Sequence, residues 1–300
     1  MKYSVFIHTN HKQNVGALVA KHALLRNSRN TDKFDVQFIH TKDHSFLHAR
    51  EGQHYLRAGQ SRVWLNDDLQ SFTPLRFMPP ELMDYQGRAV VIDPDIFAVG
   101  DVWELLSRDM QGSAIMCRTR AGRKGRSGAL ASSVMLLDCE QLTDWKCEQQ
   151  FNEMFDFKRD YMPWIGLKLE PREKISLFED QWNDFDRLTS ETKLLHNTKR
   201  KTQPWKTGLP VDYRPAENES PWSPLLWVKK ARRVLFGEYG LLGEYKPHPD
   251  AAQEAYFFGL LKECVQKGIV SESDLHNEMQ QNNVRHDVFE ILDRTQPLTA

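Results

Sequence analysis

The sequence has little net charge, few cysteines and no long apolar run, and each lack excludes something. Formal charge is -1 over 300 residues, so no global field draws in nucleic acid or an anionic membrane. No apolar stretch approaches the roughly 18 residues of a membrane span. The opening Met1-Lys2-Tyr3-Ser4-Val5-Phe6-Ile7 has no long apolar h-region and no small-residue cleavage site, which argues against a secretory signal. The four cysteines, Cys117, Cys139, Cys147 and Cys264, show no C-x-x-C spacing, which removes the usual zinc and redox motifs. Free thiols in a reducing cytoplasm are the economical reading. The 11 histidines include no H-E-x-x-H pair, so a zinc protease is not indicated. Internal repeats and low-complexity tracts are also missing. The length nonetheless suffices for a substantial core, in one large domain or two small ones.

What is present centres on Arg88-Ala89-Val90-Val91-Ile92-Asp93-Pro94-Asp95. A short, continuous apolar run reads as a strand buried on both faces. Two carboxylates follow at its C-terminal end, where ligands collect in open α/β sheets. In extended backbone, residues i and i+2 point to one side, so Asp93 and Asp95 are expected to face one hard cation, while Pro94 stiffens the backbone between them. The plainer reading is a surface turn, since Asp and Pro favour turns; the apolar strand before the pair favours the cation.

Upstream, Val5-Phe6-Ile7 reads as a strand and Thr9 to Asn14 as a polar turn. Val15 to Leu25 reads as a helix N-capped by Asn14, and Phe34 to Ile39 as a second strand. This is the spacing of a βαβ unit, and its first turn is either a nucleotide site or an ordinary connection. Glu51 to Ala58 is assigned to a helix. Asp101 is expected to cap a helix holding Val102, Leu105 and Leu106. Ala114 to Cys117 and Ser133 to Leu137 read as further strands, and Glu140 to Phe155 as a helix.

Between those two strands, Arg118 to Gly128 carries five cationic residues and three glycines. It suits a phosphate or an acidic acceptor, or is a solvated loop. Glu179 to Asp186 is acidic, and reads as a metal or sugar contact or as a solvated loop anchored by Trp182. Leu194-Leu195-His196 ends an apolar run on an imidazole just before a basic segment, which makes His196 a ligand candidate. An imidazole with two carboxylates suits Mn²⁺ more than Mg²⁺. Pro210 to Pro224 reads as a linker. Helical segments follow at 225–236 and 250–267, and a last helix is expected from a Ser271 or Ser273 cap to Leu292. Lys229 to Arg233 fits either contact with a membrane surface or a solvated helix face.

With these residues in view, the chain resembles the GT-A fold glycosyltransferases of family 8, the group of glycogenin and the bacterial lipopolysaccharide galactosyl- and glucosyltransferases. Four places over residues 3 to 210 carry the resemblance: Thr9-Asn10 with Val15-Gly16-Ala17-Leu18-Val19; Arg76; Val91-Ile92-Asp93-Pro94-Asp95-Ile96 with Gly100-Asp101-Val102-Trp103; and Leu194-Leu195-His196 with Gln203-Pro204-Trp205. The resemblance implies a GT-A type, Rossmann-like mixed α/β sheet flanked by helices over residues 1–210, with 211–300 as a linker and helical C-terminal extension. It implies Asp93, Asp95 and His196 as ligands of Mn²⁺ or Mg²⁺, Thr9 and Asn10 at the nucleotide, and Arg76 at the donor. The donor is expected to be a UDP-sugar, transferred with retention to a saccharide, lipid-linked saccharide or protein hydroxyl. An anionic acceptor would suit the 118–128 loop.

The chain also departs from the family pattern. Gln203 stands where the family has a lysine before Pro-Trp, which leaves Lys199, Lys201 and Lys206 as alternatives for the diphosphate. The family's Asn-Ser-Gly is Ala131-Ser132-Ser133 here. Its D-Q motif has Asp160 and Asp180-Gln181 as candidate counterparts. An aspartyl-nucleophile phosphatase is disfavoured, because Phe97 stands where Thr or Val is expected and the motif lies far into the chain. A degenerate transferase fold that binds a glycan or a partner is the non-enzymatic alternative.

Overall fold

The computed structural model describes residues 2–120, 128–213 and 243–298, with positions 224, 227, 228, 231 and 235. The chain divides into two compact units, 1–66 with 71–196, and 67–70 with 197–300.

The first unit is built on a mixed sheet of six strands. These are β1 (Tyr3–Thr9), β2 (Asp35–His40), β5 (Arg88–Ile92), β7 (Ile115–Thr119), β8 (Leu130–Asp138) and β9 (Ile175–Leu177), in the order β2-β1-β5-β8-β7-β9. β1 runs parallel to β2 and β5, β8 is antiparallel to β5 and β7, and β9 is parallel to β7. Val5 to Ile7, Ala89 to Ile92 and Val134 to Leu137 are fully buried. Helices flank this sheet; the one over Asn14–Arg26 buries Val15, Val19, Ala23 and Leu24. A second sheet joins β6 (Ile96–Ala98), β10 (Asp184–Phe185) and β11 (Leu194–His196), and β3 (His54–Arg57) pairs with β4 (Gln60–Val63) in a hairpin. Gly87 has a positive φ of 71°, and a Cβ there would lie 2.2 Å from the Lys2 carbonyl oxygen, so only glycine fits.

Several local expectations are corrected. The helix expected over Glu51–Ala58 is replaced by the β3–β4 hairpin. Its turn puts Ala58 and Gly59 at positive φ (53° and 72°), and both amides donate to the Asp160 carboxylate, at 2.8 and 2.6 Å. That partner is remote in sequence, so only Gly59 marks the turn locally. Asn14 is the first helical residue rather than the cap; Asn10 instead caps the 3-10 turn at His11–Gln13. The helix expected from Glu140 starts at Cys147, because Leu142 and Trp145 turn inward and are fully buried. Asp101 accepts from the Trp103 amide at 2.9 Å, but the helix spans Trp103–Leu106 and its cap position is Val102, one residue later than expected.

The second unit holds helices at Ala251–Gln266, Glu272–Gln280 and Val288–Arg294. Asp250 caps the first, accepting from the Ala252 amide. Ser271 caps the second through a capping box with Asp274. The single last helix expected to reach Leu292 is interrupted, with Asn282 at positive φ and Arg285 bound to Glu254 and Asp287. Leu69, Leu209, Val211, Tyr213 and Tyr245 form a small core. The expected linker lies largely in 214–223 and the basic stretch largely in 229–233, outside the described residues. No helix among the described residues is long and apolar enough to cross a membrane.

Candidate metal centre

β5 ends at Ile92 and β6 begins at Ile96. The Asp-Pro-Asp between them is a tight turn, closed by the Ile96 amide donating to the Asp93 carbonyl at 3.3 Å. The extended geometry expected for the carboxylate pair is therefore wrong. The chain leaves the large sheet and enters the small one here, and the turn, rather than strand alternation, brings the two side chains together.

The third group arrives by strand pairing. β11 is antiparallel to β6 with His196 opposite Ile96, which sets the imidazole beside Asp95, Nε2 to Oδ1 at 3.4 Å. One ligating atom each from Asp93, Asp95 and His196 lies within 4.8 Å of the others. Atoms about 2.1 Å from one octahedral ion are roughly 3–4.2 Å apart, so a small side-chain adjustment would suffice. Two carboxylate oxygens and an imidazole nitrogen are a donor set that fits Mn²⁺ or Mg²⁺.

Asp93 is also held from the protein side. Its Oδ1 accepts from Arg76 Nη2 at 2.8 Å and lies 2.9 Å from His8 Nε2, while Arg76 Nη1 donates to Ser132 Oγ at 2.6 Å. Burial pushes the Asp93 carboxyl up, but the Arg76 charge, the His8 contact and His196 outweigh it and hold the group well below the usual carboxylate range. Burial lowers the His8 imidazole despite the neighbouring Asp93, so at neutral pH the pair is carboxylate and neutral imidazole.

The other expected site residues are placed as follows. Ile7 pairs with Ile92, so Thr9, the last residue of β1, and Asn10 after it lie at the same end of the sheet as Asp93. Both are buried. Asn10 accepts from the Lys12 amide at 3.1 Å and donates to Ser71 Oγ at 3.0 Å. Lys199, Lys201 and Lys206 belong to the second unit. There Lys206 is buried against Asp212, 2.5 Å away, while Lys199 is exposed. Asp160 caps the helix at Tyr161–Ile165 and holds the hairpin turn, and Asp180 pairs with Arg118 at 3.0 Å. Arg118 is buried, not solvated: its Nη1 donates to the Asp180 and Asn183 carbonyls, and its guanidinium lies 4.2 Å from the Phe185 ring centre. Of the basic loop, residues 121–127 lie outside the described residues.

Sequence reasoning missed His8 as a neighbour of Asp93, and Asn183, whose Oδ1 lies 2.8 Å from His196 Nδ1. A usable signal existed for the first: a lone histidine continuing the apolar run of β1.

No protein-family model matches the chain, and no curated protein does. Several solved structures are similar to it. The glycosyltransferase GlyE of Streptococcus pneumoniae is 14% identical with a TM-score of 0.48, over 90% of this chain and 64% of GlyE. An active-site mutant of LgtC is 11% identical with a TM-score of 0.48, over 76% and 95% of the two chains. Mouse xyloside xylosyltransferase 1 is 15% identical with a TM-score of 0.43, over 66% and 98%. The chain thus spans less than two thirds of GlyE. These similar structures are glycosyltransferases, the class that the sequence resemblance names.

Proposed function

We propose that this chain is a metal-dependent hexosyltransferase that moves a sugar from a UDP-sugar to a hydroxyl acceptor with retention. One observation carries the reading: the mutual approach of Asp93, Asp95 and His196 where the turn between β5 and β6 meets β11. When bound there, Mn²⁺ or Mg²⁺ would neutralise a diphosphate leaving group. Asp93 enters as an ionised carboxylate, kept so by Arg76. Thr9 and Asn10 serve the nucleotide and Arg76 the donor in this reading, by the family resemblance. Among the lysines, the burial of Lys206 against Asp212 supports Lys199 and Lys201 as the diphosphate contacts. UDP, retention and the catalytic span of residues 1–210 rest on the resemblance alone. A cytoplasmic setting belongs to this reading through the scattered spacing of the four cysteines in the sequence. The acceptor belongs to the saccharides, lipid-linked saccharides or protein hydroxyls; an anionic one suits the cationic 118–128 segment.

A glycan- or partner-binding protein without turnover is the second reading, favoured by Gln203 in the family's lysine position and by the burial of Lys206. UDP release from a panel of UDP-hexoses, with Mn²⁺ and then with excess EDTA, separates the two. Release that stops with EDTA and returns with added Mn²⁺ supports the enzyme. UDP binding without release from any donor supports the binding protein, and release indifferent to EDTA overturns the metal centre.

A further inference from the structure

His196 has two ring nitrogens, and they face different partners. Nε2 points toward Asp95 Oδ1 at 3.4 Å, and Nδ1 lies 2.8 Å from Asn183 Oδ1. In a neutral imidazole only one nitrogen carries a proton, and the hydrogen bond made by one nitrogen sets the state of the other. Asn183 is fully buried and held on two further sides. Its Nδ2 donates to Ser133 Oγ at 2.9 Å, and its carbonyl accepts from Arg118 Nη1 at 2.6 Å. An amide has one donor end and one acceptor end. With the donor end turned to Ser133, the acceptor end meets His196, and a proton on Nδ1 completes that contact. Phe185, opposite His196 in the β10–β11 pairing, packs its ring 5.5 Å away at 65° to the imidazole and limits its rotation.

Ser133 also reaches the other arm of the site, since its carbonyl accepts from the Asp93 amide at 3.1 Å. One residue of β8 therefore braces the start of the carboxylate turn directly and the imidazole through Asn183. We propose that Asn183, held by Ser133, is a positioning residue that fixes His196 as the Nδ1–H tautomer and so presents the Nε2 lone pair to the carboxylate pair. The inference rests on the reading of Asp93, Asp95 and His196 as a cation site.

Two measurements test it separately. Long-range ¹H–¹⁵N correlation of His196 reports which ring nitrogen carries the proton without any metal. Mn²⁺ titration by calorimetry reports affinity. The Nδ1–H tautomer is expected in the wild type and in Asn183→Asp, which keeps the acceptor. Asn183→Leu should give mixed tautomers and about 10–100-fold weaker Mn²⁺ binding, the usual cost of losing an outer partner, while Asn183→Asp stays near wild type. Should Asn183→Leu fail to fold, Ser133→Ala is expected to move both readouts in the same direction. A wild-type His196 protonated on Nε2, or Asn183→Leu with wild-type Mn²⁺ affinity, overturns the proposal. A wild type with the Nδ1–H tautomer that binds no Mn²⁺ supports the positioning role and overturns the cation reading instead.

Discussion

The Asp93 amide donates to the Ser133 carbonyl at 3.1 Å, one rung beyond the last paired residues of β5 and β8, Ile92 and Val134. The carboxylate turn therefore starts from a sheet that is fully buried at Ala89 to Ile92 and Val134 to Leu137, not from a free loop. A site begun on such a scaffold should answer to substitution of its ligands without general collapse.

Ligand linkage offers the first check. Binding to the folded state alone stabilises by about 2.7 kcal/mol at a hundredfold excess over Kd. Added Mn²⁺ should raise the melting temperature of the wild type, and Asp95→Asn should lose most of that rise while melting near the wild type in EDTA. A wild-type melting temperature indifferent to Mn²⁺ would remove the cation from this site.

Acid should weaken the fold through its buried imidazoles. Burial pushes the imidazoles of His8 and His40 down, His40 to about 4 with Lys42 adding to the shift. The His40 Nδ1 lone pair also accepts from the Lys42 amide at 3.0 Å. Their unfolded values lie near 6.5, about where an ordinary histidine titrates, so the unfolded chain takes up protons that the folded chain refuses. That part of the stability is complete above about pH 6.5 and is lost as pH falls toward 4. Urea midpoints should decline over this window, and His40→Asn should flatten the decline. A profile flat to pH 4 in the wild type contradicts these burials.

The hairpin clamp is testable by amide exchange. Asp160 accepts from Ala58, Gly59 and the Met162 amide at 2.9 Å. Asp160→Ala should accelerate exchange at Ala58 and Gly59 selectively and cost about 1 kcal/mol through the lost helix cap. Unchanged exchange at those two amides would mean that the strands hold the turn unaided.

Asn10 needs a careful control. Its side chain caps the turn at His11–Gln13 and holds Ser71, so Asn10→Ala should lower stability by about 1 kcal/mol as well as weaken UDP binding. UDP affinity measured well below the melting transition isolates the second effect. Equal affinity in variant and wild type would take Asn10 out of the nucleotide site.

Much of the first unit was legible because its signals are local. Continuous apolar runs mark β5 and β8, and the strand–helix–strand spacing marks β1, the Asn14–Arg26 helix and β2. The hairpin at His54–Val63 was marked locally only by Gly59, because the carboxylate that satisfies its turn lies in another element. The break before Val288 was hidden for a similar reason, since Arg285 is fixed by Glu254 of another helix. The extended reading of Asp93 and Asp95 failed because a turn that passes the chain between two sheets leaves no period in the sequence.

By itself the sequence determined which residue types could make a cation site and roughly where the strands lie, since residue chemistry and apolar spacing are properties of the chain. Only the tertiary structure decided that the three groups meet. His196 reaches Asp95 because β11 pairs with β6 in one register, His196 opposite Ile96, and a slip of one residue would send its side chain to the other face. The holding of Asp93 by His8 and Arg76, and of His196 by Asn183, likewise appeared only in the fold. Such contacts join residues that share no local pattern, and hydrogen bonding depends on distance and direction in space.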